Sequence, residues 1–172
     1  MTDASATTAE LTPVRKTVTV NASKEHAFSV FTDGFATWWP METHHIGAAD
    51  VVTMGIEPFV DGRCYERGVD GSECEWARVT VFEPPDRLVV VWQLNADWAY
   101  DPTMTSEVEV RFVAEGPHTT RVELEHRGLD TYGARAGEIH AALDSEGGWG
   151  GLIAAFAGAA AAGGRVPKRS PG

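Results

Sequence analysis

Residues 62–92, GRCYERGVDGSECEWARVTVFEPPDRLVVVW, decide the fold, because they spell three strands and two turns with almost no slack. Asp70-Gly71 supplies the positive-φ residue that a tight hairpin needs, and Pro84-Pro85-Asp86 removes backbone donors where the second strand must stop. An antiparallel meander is expected. Its strands carry aromatic and long polar side chains together, among them Tyr65, Trp76, Arg78 and Trp92, which a sheet built only for a dry core does not need. The stretch therefore reads as one wall of a cavity. A two-residue loop pairs Val69 with Ser72 and sets Cys64 near Ala77 rather than opposite Cys74. That separation argues against a disulfide, and both cysteines read as free thiols.

Upstream, Val14 to Val20 alternates apolar Val14, Val18 and Val20 loosely with Arg15, Lys16, Thr17 and Thr19, as an opening edge strand does. Ser23 reads as a helix N-cap before Ala27, Phe28, Val30 and Phe31, with Asp33-Gly34 ending that helix. Phe35 to Trp39 is a second short helical turn stopped by Pro40, and a strand follows from about Asp50 to Phe59. Downstream, Thr105 to Ala114 sets Val108, Val110 and Phe112 against Glu107, Glu109 and Arg111. Arg121 to Arg127 repeats this with Val122 and Leu124, so both are half-buried strands joined by a turn at Gly116-Pro117-His118. From Ala134 the pattern is helical, and Trp149, Leu152, Ile153, Phe156, Ala157 and Ala160 make an apolar stripe at helical spacing. Gly147, Gly148, Gly150 and Gly151 weaken that helix, and a break or kink is expected near Asp144 to Gly148.

The order is strand, two short helices, six strands and a long C-terminal helix: an α+β domain over residues 14–162, with tails at 1–13 and 163–172 expected to be unfolded and the latter basic. A chain of 172 residues is long enough to bury a core without disulfides or structural metal. The formal net charge of -11 opposes binding to nucleic acid or anionic membrane. The first residues, MTDASATTAELTP, lack the basic and apolar regions of a secretory signal, so a cytoplasmic protein is expected. Gly147 to Gly164 holds no charged residue, but Gly and Ala gain too little from hydrocarbon for a membrane span.

These landmarks together resemble the START-like or SRPBCC superfamily, whose helix-grip fold wraps a curved antiparallel sheet of about seven strands around a long C-terminal helix. Within it the chain is similar to the branch named for the activator of the heat-shock-protein-90 ATPase. The resemblance is carried by Ser23 to Phe28, Gly62-Arg63, Glu83-Pro84-Pro85-Asp86-Arg87-Leu88 through Trp92, Thr105 to Phe112, His126-Arg127-Gly128 and Gly148-Trp149. It implies a ligand cavity between sheet and long helix, in a fold that also hosts lipid carriers, hormone receptors, polyketide cyclases and chaperone modulators. The chaperone co-activator itself matches in only one of its two domains, and no N-terminal chaperone-docking domain is expected here.

Placed in that frame, the six tryptophans, Trp38, Trp39, Trp76, Trp92, Trp98 and Trp149, are candidate walls for a flat apolar ligand or else core packing. Val110 and Phe112 on the inner strand face and Ile153 on the gripping helix join them. Trp98 and Tyr100 lie in the loop of residues 95–104, which is placed to cover a cavity mouth. His126 shares parity with Val122 and Leu124 and points inward, as a core histidine or as a proton-transfer group. Arg63, Tyr65 and Arg78 either orient a polar ligand group or sit solvated on the surface. The other histidines, His44-His45, His118 and His140, show no metal-ligand spacing, and neither a hydrolase nor a phosphate-loop signature is present, so no metal or cofactor is expected. Three readings follow: a binding domain for a small hydrophobic or aromatic ligand, a polyketide aromatase/cyclase using His126 or Tyr65, and a chaperone-contacting module using the outer sheet face. The small-residue back of the C-terminal helix predicts a cover, either the N-terminal segment or a second subunit in a homodimer.

Overall fold

The hairpin of residues 62–83 forms as read, with one added residue in its turn. In the computed structural model, which describes residues 12–40, 44 and 49–162, strands β3 (Arg63–Gly68) and β4 (Glu73–Glu83) pair antiparallel. Gly71 takes φ 85°, and the Gly68 amide donates to the Ser72 carbonyl at 2.8 Å, so the loop is Val69-Asp70-Gly71. Val69 and Ser72 therefore do not pair. The register recovers at a bulge: Tyr65 faces Glu75 while Cys64 faces Ala77, leaving Trp76 as the extra residue on β4. Cys64 thus meets Ala77 as expected, and both cysteines are free.

Around this hairpin, β1 (Val14–Val20), β2 (Val51–Ile56), β5 (Arg87–Trp92), β6 (Ser106–Gly116) and β7 (Thr119–Arg127) complete a seven-stranded antiparallel sheet in the order β1-β7-β6-β5-β4-β3-β2. β2 stops at Ile56 rather than Phe59, because the Glu57 carboxylate turns back to accept from the Arg63 amide at 2.7 Å. β4 ends at Glu83, immediately before Pro84-Pro85. Helix α1 (Lys24–Thr32) starts where the Ser23 hydroxyl accepts from the His26 amide, and α2 (Phe35–Trp38) is a single turn. Val14 through Ala160 contribute to one continuous apolar cluster between the sheet and the helices.

The outer sheet face is an ion-pair lattice. Arg63 and Arg67 hold Glu73, Arg78 holds Glu75, and Arg87, Arg111 and Arg127 converge on Glu109, which is only 6% exposed. Burial pushes the Glu109 pKa up, but hydrogen bonds from Arg87 and Arg127 outweigh it, and the carboxyl titrates below its usual range. Tyr65 lies on this face, its ring under the guanidinium of Arg63 at 5.1 Å and of Arg67 at 5.7 Å.

After β7 the chain makes a 3-10 segment (Leu129–Arg135), helix α3 (Ala136–Asp144), one wide π-type turn (Glu146–Gly150) and helix α4 (Gly151–Ala161). The long C-terminal helix is thus interrupted where the glycines cluster. Ala154, Ala155, Gly158 and Ala161 on the back of α4 are exposed, so no described residue supplies the expected cover; the N-terminal segment lies outside the described residues. No helix among the described residues is long and apolar enough to cross a membrane.

Candidate functional site

The break before α4 shapes the site. Gly148 has φ -103° and ψ -134°, outside the helical region, and a Cβ there would stand 2.3 Å from the Ala142 carbonyl oxygen and 2.5 Å from that of Leu143. Only glycine lets the turn close on the end of α3. The next residue, Trp149, is thereby swung under the sheet, where its indole N–H donates to His126 Nδ1 at 3.0 Å. An indole nitrogen is a donor only, so His126 carries its proton on Nε2 and gives it to the Ser106 hydroxyl at 3.0 Å. Burial drives the His126 pKa down to about 3, so the ring is neutral at ordinary pH. Nearby, the Tyr132 hydroxyl donates to the Leu94 carbonyl at 2.7 Å. Both nitrogens of His126 are engaged. It anchors Trp149 and is not placed to exchange a proton with a ligand.

In front of Trp149 opens a cleft of about 380 Å³. Trp39 from the end of α2, Trp76 from the β4 bulge, Trp92 from β5, Trp98 from the following loop and Trp149 wall it, with Met54, Leu94, Leu143 and Leu152 filling the gaps. The bulge matters: it lets Trp76 and Ala77, consecutive residues, both face inward. Trp39 and Trp76 stack at 5.8 Å and 15°, whereas Trp92 meets Trp76 and Trp149 edge to face at 5.6 and 5.7 Å. The polar groups at the cleft are few. Glu66 from β3 is 3% exposed, and His44 donates from Nε2 to the Gly147 carbonyl, 2.8 Å away. The indole nitrogens of Trp76 and Trp92 are buried without a hydrogen-bond partner among the described residues.

Of the residues singled out in the sequence, the structure brings Trp39, Trp76, Trp92, Trp98 and Trp149 together around the cleft. It does not bring the others there. Trp38 is core, donating from Nε1 to the Val30 carbonyl at 3.1 Å. Phe112 packs with Phe28, Phe31 and Phe156, Ile153 is buried in the same cluster, and Val110 faces a void of only about 20 Å³ behind the cleft. His126 stands behind Trp149, and Tyr65 with Arg63 and Arg78 is on the opposite face of the sheet, because strand parity sends Cys64 and Glu66 inward instead. Sequence reasoning misses Glu66. The signal is there: it alternates with Arg63, Tyr65 and Arg67 and shares parity with an inward cysteine. Among the described residues, no three His, Cys, Asp or Glu side chains converge to hold a metal ion.

The profile of one protein family, Activator of Hsp90 ATPase homolog 1-like protein, matches residues 21–161. The chain belongs to that family. Among solved structures, it is 42% identical to an anthrahydroquino-gamma-pyrone synthase, Txn09, complexed with SUM; the match covers 87% of this chain and 97% of Txn09 at a TM-score of 0.61. It is 31% identical to CalC from Micromonospora echinospora, a self-sacrificing resistance protein, over 87% of this chain and 94% of CalC, again at 0.61. The Aha1 dimer from Colwellia psychrerythraea shares the family fold at 14% identity, 89% and 98% coverage and a TM-score of 0.59. No curated protein matches the chain.

Proposed function

We propose that this member of the activator-homologue family binds a flat, polycyclic aromatic molecule in the tryptophan cleft and acts on it in aromatic polyketide chemistry. The observation that carries the reading is the wall of five tryptophans around about 380 Å³, a volume within the range of sites for drug-sized ligands (~300–1,000 Å³). Aromatic faces on several sides match a flat arene by offset stacking and edge contact, and α4 and the loop at Trp98 limit its depth. The likeness to Txn09, a synthase whose name specifies a fused aromatic product, supports both the arene and a ring-forming reaction. The reading as a chaperone-contacting module has less support, since the charged groups of the outer sheet face largely satisfy one another as ion pairs.

The test is a titration of the purified protein with anthraquinone, followed by tryptophan fluorescence. Saturable quenching that Trp92→Ala and Trp149→Ala both weaken is the expected result, whereas a protein that binds no arene at all would sink the reading. Mass spectrometry of the recovered arene separates the two forms of the proposal: a carrier returns it unchanged and an enzyme does not.

A further inference from the structure

Most of the cleft is hydrocarbon and aromatic ring, yet Glu66 reaches its wall from the inner face of β3. Its cross-strand neighbours are Met54 on β2 and Cys74 on β4. A carboxylate in such a wall loses hydration and is maintained only where hydrogen-bond donors meet it. Ionised, it accepts hydrogen bonds and cannot donate them, and it has room for about four. Glu66 already has a partner in the protein, and a side chain with about four acceptor positions can take a further donor where it borders the cleft.

Trp76 and Trp92 present the opposite deficit. Each indole has one donor, no lone pair to offer, and no acceptor within reach among the described residues. They are neighbours in the sheet, since Trp92 lies opposite Ala77 and Trp76 is the bulged residue before it. Both N–H groups are closed off from solvent, so a ligand acceptor meets them only if the rings shift.

We infer that Glu66, Trp76 and Trp92 form a complementary set that selects an arene bearing both hydroxyl and oxo substituents, the hydroxyl donating to Glu66 and oxo oxygens accepting from the two indoles. This inference rests on the aromatic-cleft reading above and names the substrate class for it. A bare hydrocarbon fills the same space and satisfies none of the three groups. A site built to meet a hydroxyl discriminates against the analogue lacking it far more strongly than one built on shape alone. The hydroxyl–carboxylate bond is charge-assisted and dominates the preference.

Three probes of nearly equal outline decide it: anthracene, anthraquinone and 2,6-dihydroxyanthraquinone, each titrated by fluorescence against the full chain. The wild-type protein is expected to bind the dihydroxy compound at least about tenfold tighter than anthraquinone, and anthraquinone tighter than anthracene. Glu66→Gln, isosteric and with its fold checked by near-UV circular dichroism, is expected to reduce the hydroxyl preference to under about threefold while leaving anthracene affinity unchanged. Trp76→Phe keeps an aromatic ring and removes one of the two donors, and should reduce only the preference for the oxo groups. If the wild-type protein binds all three probes alike, or Glu66→Gln keeps the full hydroxyl preference, the inference is overturned while the cleft stands. Absence of binding by any probe overturns both.

Discussion

The inner face of the sheet has two ends built from the same kind of side chain to opposite effect. Toward β6 and α1, Phe28, Phe31, Phe112 and Phe156 meet edge to face at centroid distances of 5.1 to 6.5 Å and border no more than a void of about 20 Å³ beside Phe31. Toward β3–β5, Trp39, Trp76, Trp92 and Trp149 meet at nearly the same distances, 5.6 to 6.2 Å, and enclose about 380 Å³. Ring contact therefore does not distinguish a core from a pocket. What differs is the covering element. At the phenylalanine end, α4 lies on the sheet with Phe156 fully buried, whereas at the tryptophan end the chain has not yet become regular helix, because Gly148 diverts it.

The largest effect should come from the closed end. Phe156→Ala removes a fully buried ring with packing on every side and is expected to cost about 3–5 kcal/mol in urea denaturation. Trp92→Ala, whose ring already borders open space, should cost less, about 2–3 kcal/mol, but abolish arene quenching. Equal losses in the two variants, with arene affinity preserved in Trp92→Ala, would erase the distinction between the ends.

The boundary between them is His126, and pH probes it. Its folded pKa of about 3 lies below the usual histidine value near 6.5, so between those limits the unfolded chain holds the extra proton. Stability contributed by the neutral ring is therefore complete above about pH 6.5 and declines as pH falls toward 3, by roughly 2 kcal/mol between pH 7 and pH 5. Glu109, held low by its arginines, adds loss of the same sign only at more acidic pH, below the normal glutamate range. His126→Gln, which does not titrate, should flatten the stability curve between pH 7 and 5. A slope equal to the wild-type one would show that other groups carry it.

How much of this contrast is legible in the sequence follows from what each end depends on. The closed end follows from periodicity: alternate apolar residues in β6 and β7 and a helical stripe through Phe156 lead to one packed face. The kink at Gly148 is readable too, since four glycines in five positions break a helix. The cleft is only half readable. Trp76 and Trp92 follow from strand parity, but the bulge that turns Trp76 and Ala77 to the same side arises from a three-residue turn and has no local signature. Tyr65 does not belong among the cavity candidates: aromatic type suggests it, parity excludes it, and the same parity is the cue that gives Glu66. The exposure of the α4 back face, Ala154 and Gly158 included, depends on what docks there and not on the helix itself.

The smallest stability change should come from Trp98, where function and folding are most nearly separate. Trp98 is 41% exposed and holds φ 61°, a left-handed conformation that costs a bulky residue about 1–3 kcal/mol and persists only when its surroundings enforce it. Those surroundings are visible: the Asn95 side chain accepts from the amides of Asp97 and Ala99, and the Asn95 carbonyl accepts from the Trp98 amide at 2.9 Å. Trp98→Gly relieves the backbone conformation, but loses the apolar burial of a ring that is more than half covered and adds freedom to the unfolded chain. The first opposes the other two, so the net loss should be about 1 kcal/mol, below that of Trp92→Ala. Arene affinity should nevertheless fall, because the ring is one wall of the cleft mouth. Trp98→Ala keeps the backbone penalty and is expected to be the less stable of the two variants, with the same loss of binding. If both variants bind arenes as the wild-type protein does, the strained residue serves the loop alone, and the open end is closed by something other than Trp98.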